Sequence, residues 1–135
     1  MIIRPAGEAD LEAIAAIQGA SPEASQWNPA DYLTYSCLVA ANGQVAGFIV
    51  IREIGLQEYE ILNLAVAPDA RRRGVARMLL EFILRAHPGT WFLELRESNF
   101  PALKLYEKAG FTSIAKRSAY YADSRESAIV MRLQR

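Results

Sequence analysis

The sequence contains one cysteine, Cys37, and one histidine, His87. A lone cysteine excludes an intrachain disulfide and a cysteine-based metal cluster, and it fits a reducing compartment, which points to the cytoplasm and to chemistry without a metal. An excess of either charge is also missing. Lys plus Arg and Asp plus Glu number 15 each, for a net charge of +0, so no global field draws the chain toward nucleic acid or an anionic membrane. Long apolar runs are absent too: nothing approaches the ~18 residues of a membrane span, and the start, Met1-Ile2-Ile3-Arg4-Pro5, has no basic segment leading into an apolar one. Neither nucleic acid nor a membrane is expected as a partner. What is present is 52% hydrophobic content over 135 residues, enough for one core and one domain spanning residues 1–135.

Along the chain, residues 1–4 form a short apolar start. Leu11, Ile14 and Ile17 recur every third residue within 7–18, which predicts a helix with one buried stripe and Asp10 as its cap. Residues 18–29 have loop composition and hold one large aromatic, Trp27, so this segment is expected to be mobile or to face a ligand. Apolar runs at 37–41 and 45–51 flank Asn42-Gly43, a pair that tolerates positive φ, and predict a hairpin. Residues 59–66 predict a strand that ends before Pro68, because proline cannot continue a ladder. Residues 75–86 carry apolar positions at helical spacing and stop at His87-Pro88-Gly89. A strand at 91–95, a helix at 101–109 with Gly110 past its end, and strands at 111–116 and 127–133 complete the chain. Helices alternating with strands beside a hairpin indicate a mixed α/β or α+β sheet domain.

The turn Arg71-Arg72-Arg73-Gly74-Val75-Ala76 lies between an apolar strand and an amphipathic helix. A helix N-terminus leaves about four backbone N–H groups unpartnered and carries roughly half a positive charge, so it offers a phosphate a site. The arginines add charge in a fork that matches phosphate oxygens, and Gly74 and Ala76 permit close approach of the backbone. On composition alone a solvated surface turn explains the same residues.

The spacing Arg71-x-x-Gly74-x-Ala76, with Asn63-Leu64-Ala65-Val66-Ala67-Pro68 before it and a helix after it, resembles the coenzyme A signature of the GNAT acetyltransferase superfamily. Residues 94–99 and 102–111, Glu94-Leu95-Arg96-Glu97-Ser98-Asn99 and Ala102 to Phe111, resemble that superfamily's second block. The RimI-like branch, the ribosomal-protein-alanine N-acetyltransferases, is similar at 63–66, at 94–99 and in the tail from Tyr120-Tyr121 to Met131. Ala76 stands where the signature usually has a glycine, and the loop around Trp27 matches loosely. The resemblance implies a GNAT fold, a central, mostly antiparallel sheet flanked by about four helices. It implies acetyl-CoA as donor, held by Leu64, Ala65, Val66, residues 71–77 including Arg77, and Asn99. The implied acceptor is a protein N-terminus, such as the N-terminal alanine of a ribosomal protein, or a small amine.

Acetyl transfer to an amine needs a base, an oxyanion donor and a proton source for the departing thiolate. Glu94 lies in the apolar stretch Trp91-Phe92-Leu93-Glu94-Leu95, where a carboxylate among low-dielectric neighbours can act as general base, directly or through water; strand alternation alone would turn it to solvent. Tyr106 can protonate a thiolate or belong to a core stripe with Leu103 and Phe111. Asn99 can cap the following helix or contact the coenzyme arm. The resemblance implies Glu94 as base, Tyr106 as acid, and Trp27, Tyr120 and Tyr121 beside the acceptor. His87 at a helix end and Cys37 in a strand are read as structural. A small-molecule acetyltransferase and a catalytically silent acyl-CoA-binding module are the alternatives on the same residues.

Overall fold

The apolar runs beside Asn42 and Gly43 form the expected hairpin. Strand β2, Ser36–Asn42, turns through Gly43 at φ +78° into β3, Gln44–Gly55, and positive φ is cheap there because no Cβ opposes it. The computed structural model describes residues 1–118, 120–121 and 124–135. Its other strands are β1 Ile2–Pro5, β4 Glu58–Val66, β5 Thr90–Arg96, β6 Thr112–Arg117 and β7 Ala128–Gln134. They join in one seven-stranded sheet of order β1-β2-β3-β4-β5-β7-β6. Every neighbouring pair is antiparallel except β4 with β5.

Helices α1 Leu11–Gly19, α2 Val75–Ala86 and α3 Phe100–Ala109 pack on this sheet, with short 3-10 turns at Glu8–Asp10, Pro29–Thr34 and Pro68–Ala70. The mixed α/β expectation holds, with three α-helices and these turns where about four helices are expected. One core sets Leu79, Leu80, Ile83 and Leu84 of α2 against Ile49, Ile61, Trp91, Leu93 and Met131. A second, on α1, holds Ile14 and Ile17 with Tyr32, Val39, Phe48 and Val50. None of the helices among the described residues is long and apolar enough to cross a membrane.

The first helix departs from its expectation. Residues 8–10 form a 3-10 turn and α1 begins at Leu11. Asp10 makes no side-chain cap for α1; its carboxylate accepts from the Gly7 N–H at 2.9 Å and from both terminal nitrogens of Arg4 at 2.8 and 2.9 Å. It therefore joins β1 to the start of the helix. Hydrogen bonds from Arg4 and Gly7 hold Asp10 below the usual carboxylate range, as acceptors of charge-assisted bonds are.

One irregularity creates the space the site needs. β4 and β5 pair only from Glu58↔Thr90 to Ile61↔Leu93. There the register of β3 with β4 slips: Ile51 faces Ile61 and Val50 faces Asn63, leaving Leu62 as an extra residue. Such a bulge bends its strand and interrupts the ladder, so the C-terminal ends of β4 and β5 part.

Candidate active site

Two clefts open where these strands part. The larger, about 690 Å³, is lined by Leu64, Ala65 and Val66 of β4, by Arg71, Arg72, Gly74, Val75, Ala76 and Arg77 at the start of α2, and by Asn99, Lys104 and Lys108 among others of α3. The smaller, about 260 Å³, lies deeper along β5 and is lined by Trp27, Glu94, Arg96 and Tyr121. Asn99, Ala102, Tyr106 and Leu64 line both. The two clefts are therefore one passage with Tyr106 at its junction.

At the mouth of the larger cleft, Gly74 precedes α2 with φ +75°, and the first i to i+4 bond of the helix runs from the Met78 N–H to its carbonyl at 2.9 Å. The N–H groups of Val75, Ala76 and Arg77 thus have no partner within the helix. A Cβ built on Gly74 would meet nothing within 4 Å, so the glycine answers the backbone angle and an open approach, not crowding. Arg72 shares the left-handed region at φ 65°. The arginines divide. Arg72 and Arg77 line the cleft; Arg73 is not among its lining residues. Arg71 lines it as well, but its Nε donates to the Val66 carbonyl at 3.3 Å and its Nη2 to the Ala20 carbonyl and Ser21 Oγ, each at 3.0 Å.

In β5 the strand alternation is intact: Trp91, Leu93 and Leu95 are buried, and Phe92, Glu94 and Arg96 are half-buried on the opposite side. That side is the cleft and not bulk solvent. Glu94 Oε1 pairs with Arg117 Nη1 at 3.1 Å. Tyr121 lies under the Arg96 guanidinium, 4.2 Å from ring centroid to Cζ. Burial first, then the negative Glu94, push the Tyr121 phenol above its ordinary value, against the pull of Arg96. Tyr120 is not among the lining residues; it meets Tyr121 edge-on at 5.2 Å and has Arg117 over its ring at 5.4 Å.

Tyr106 is buried edge-on against Phe111 at 5.5 Å, so the core-stripe reading describes its ring. Its hydroxyl has no hydrogen-bond partner among the described residues, and no fully buried polar side-chain atom there goes unpartnered. The oxygen is consequently reached from the passage. Burial drives this phenol far above its ordinary value, so it keeps its proton at neutral pH. Asn99 does cap α3, accepting from the Ala102 N–H at 3.3 Å, while also facing both clefts.

Compared with known proteins, residues 9–111 match the family model described as acetyltransferase (GNAT) family. The chain belongs to the GNAT acetyltransferase family. It is 39% identical over 108 residues to the [ribosomal protein bS18]-alanine N-acetyltransferase of Escherichia coli (strain K12), covering 76% of this chain and 71% of that one. The crystal structure of the ribosomal-protein-S18-alanine N-acetyltransferase from Escherichia coli superposes with a TM-score of 0.81 at 33% identity, covering 98% of this chain and 92% of that one. Ard1 from Thermoplasma volcanium superposes at 0.86 with 30% identity over 98% and 95% of the two chains. The protein is thus an N-acetyltransferase of the GNAT type with RimI-like relatives, and GNAT enzymes take acetyl-CoA as donor.

Several residues of the GNAT passage escaped the sequence reading. Lys104 and Lys108 are four apart on α3 and so share a face, a signal open to sequence inspection. Arg117 was not legible, because it meets Glu94 only through the order β5-β7-β6. Nor were the partners of Asn63, whose Nδ2 donates to Gln18 Oε1 at 3.2 Å, the Ser25 carbonyl at 3.0 Å and the Tyr32 hydroxyl at 3.0 Å. Gln18 Nε2 in turn holds the Trp27 carbonyl at 2.6 Å. The segment expected to be mobile or to face a ligand is thereby tied to α1 and β4, and its residues 23–27 line the smaller cleft.

Proposed function

We propose that this enzyme acetylates the α-amine of a protein N-terminus, with the N-terminal alanine of a ribosomal protein as its leading substrate. The carrying observation is the single passage: a cationic helix N-terminus at one end, Glu94 and Tyr121 at the other, and Tyr106 between them. The lining suits acetyl-CoA. The free N–H groups of 75–77 with Arg72, Arg77, Lys104 and Lys108 match a pyrophosphate and its neighbouring phosphate. Leu64, Val66, Ala102 and Leu105 match an apolar arm, and the edge of β4 beyond Ile61 offers backbone groups without a β5 partner. Acetyl-CoA bound there supplies an activated thioester.

The chain's own residues then divide the work. Glu94 takes the proton of the attacking amine, directly or through a water. A backbone N–H of residues 64–66 donates to the carbonyl oxygen as it gains charge. Tyr106 gives its proton to the departing sulfur as the C–S bond breaks and the N–C bond forms, and the high proton affinity of this buried phenol keeps it loaded for that step. An α-amine, with an ordinary pKa of about 7.7–8.0, is roughly one-third neutral near pH 7.5, against about one part in a thousand for lysine at about 10.4. One modest base suffices for the former. The naming of the relatives as ribosomal-protein-alanine N-acetyltransferases supports the same acceptor.

The test is an acceptor screen with acetyl-CoA: peptides varied at their first residue, lysine peptides with blocked N-termini, and small amines, scored by free thiol release. Alanine-initiated peptides are expected to turn over fastest. Efficient acetylation of a small amine with all peptides left unmodified would overturn the assignment.

A further inference from the structure

The first arginine of the coenzyme turn is engaged by protein oxygens. Arg71 reaches across from the start of the turn to residues fifty positions earlier, donating through Nη2 to the Ala20 carbonyl and Ser21 Oγ while Nε holds the Val66 carbonyl. Ser21 is 3% exposed, so swinging the guanidinium onto a phosphate would strand its buried hydroxyl and give up the bonds to the Ala20 and Val66 carbonyls. Ser21 belongs to the segment that carries Trp27 over the smaller cleft. Its carbonyl accepts from the Ala24 N–H at 2.9 Å and from Gln26 Nε2 at 3.0 Å, and Gln18 holds the Trp27 end. Gln18 anchors this loop from α1 and Asn63 from the sheet. Arg71 anchors it from the coenzyme turn.

We infer that Arg71 is a positioning residue for the acceptor: its guanidinium fork fixes the 20–27 loop to the end of β4 and so sets the acceptor wall from the donor side. This rests on reading the smaller cleft as the acceptor site. Phosphate charge is supplied by Arg72, Arg77 and the helix N-terminus. The geometry requires a planar fork that serves three oxygens on two segments, which a lysine ammonium cannot reproduce although it keeps the charge.

The experiment compares Arg71→Ala, Arg71→Lys and Arg72→Ala in the full-length enzyme labelled with fluorotryptophan. Trp27 and Trp91 are the only tryptophans, one on the loop and one fully buried, so the second reports the fold. Both Arg71 variants should shift or broaden the Trp27 fluorine resonance and leave that of Trp91. Both should raise KM for an alanine-initiated peptide roughly tenfold and change coenzyme A Kd less than about threefold. Arg72→Ala should do the reverse. If Arg71→Lys restores what Arg71→Ala loses, or if Arg71→Ala weakens coenzyme A binding while the Trp27 resonance stays in place, the guanidinium serves phosphate and the inference is wrong. Should Arg71→Ala fail to fold, Arg71→Lys carries the comparison. Fluorine spectra and coenzyme binding need no acceptor, so a mistaken choice of acceptor would show only in the peptide kinetics.

Discussion

At the scale of single residues, Tyr106 meets two surroundings with its two parts. The ring packs against Phe111 and the hydroxyl faces the passage. Tyr106→Phe keeps the ring and removes only the oxygen, so kcat should fall about a hundredfold or more with coenzyme A affinity unchanged in a direct titration. Wild-type kcat in that variant would exclude Tyr106 as the acid. Cys37 behaves differently, since burial pushes its thiol up to about 12 from an ordinary 9.0. The folded chain thus retains a proton that the unfolded chain releases above pH 9, and stability falls as pH rises through that window. The loss is about 1.4 kcal/mol per pH unit at most. Denaturant titrations between pH 8 and 11 should show a shallower alkaline decline for Cys37→Ala than for wild type; parallel curves would mean that the thiol does not contribute.

At the scale of elements, the start of α2 is shaped by one backbone angle. Gly74 lies at φ +75° with open space where a Cβ would stand. Gly74→Ala should therefore fold, at a cost of about 1–2 kcal/mol for the left-handed conformation, lowering Tm by roughly 3–8 °C for a chain of this size. The added methyl group stands at the larger cleft, the proposed coenzyme site, so coenzyme A Kd should rise as well. A thermal melt and a titration on one sample check both, and an unchanged Tm would show that the turn relaxes to another angle. The bulge at Leu62 works at the same scale. It ends the β4–β5 pairing and frees the strand edge that lines the larger cleft.

At the scale of the molecule, the sheet is unequal across its width. β3 is paired on both sides and buried from Ala46 to Ile51, whereas β6 is an edge strand with every residue exposed. Amide exchange should release β6 first among the strands and β3 last; β6 outlasting β3 would contradict this order. Local periodicity made much of the frame legible. Leu11, Ile14 and Ile17, the Asn42-Gly43 turn, the apolar face of α2 and the Gly110 stop depend on neighbours within a few residues, which is the range that sequence patterns encode. The resemblance carried by Arg71 to Ala76 and by residues 94–111 likewise points to the family from short stretches of sequence. Other features depended on contacts between distant segments. The Pro29–Thr34 turn with its buried Tyr32, the Asp10 bond to Arg4, the Glu94–Arg117 pair and the hub of Gln18, Tyr32 and Asn63 join residues whose separation in sequence has no period. Sequence alone determined the strands and the α-helices, the donor signature and the family, because those rest on local spacing. Tertiary structure alone decided that Glu94 faces the smaller cleft, that Arg73 lies outside the lining of the larger one and that Arg71 holds the 20–27 loop, because strand order and the bulge in β4 set which side chains meet.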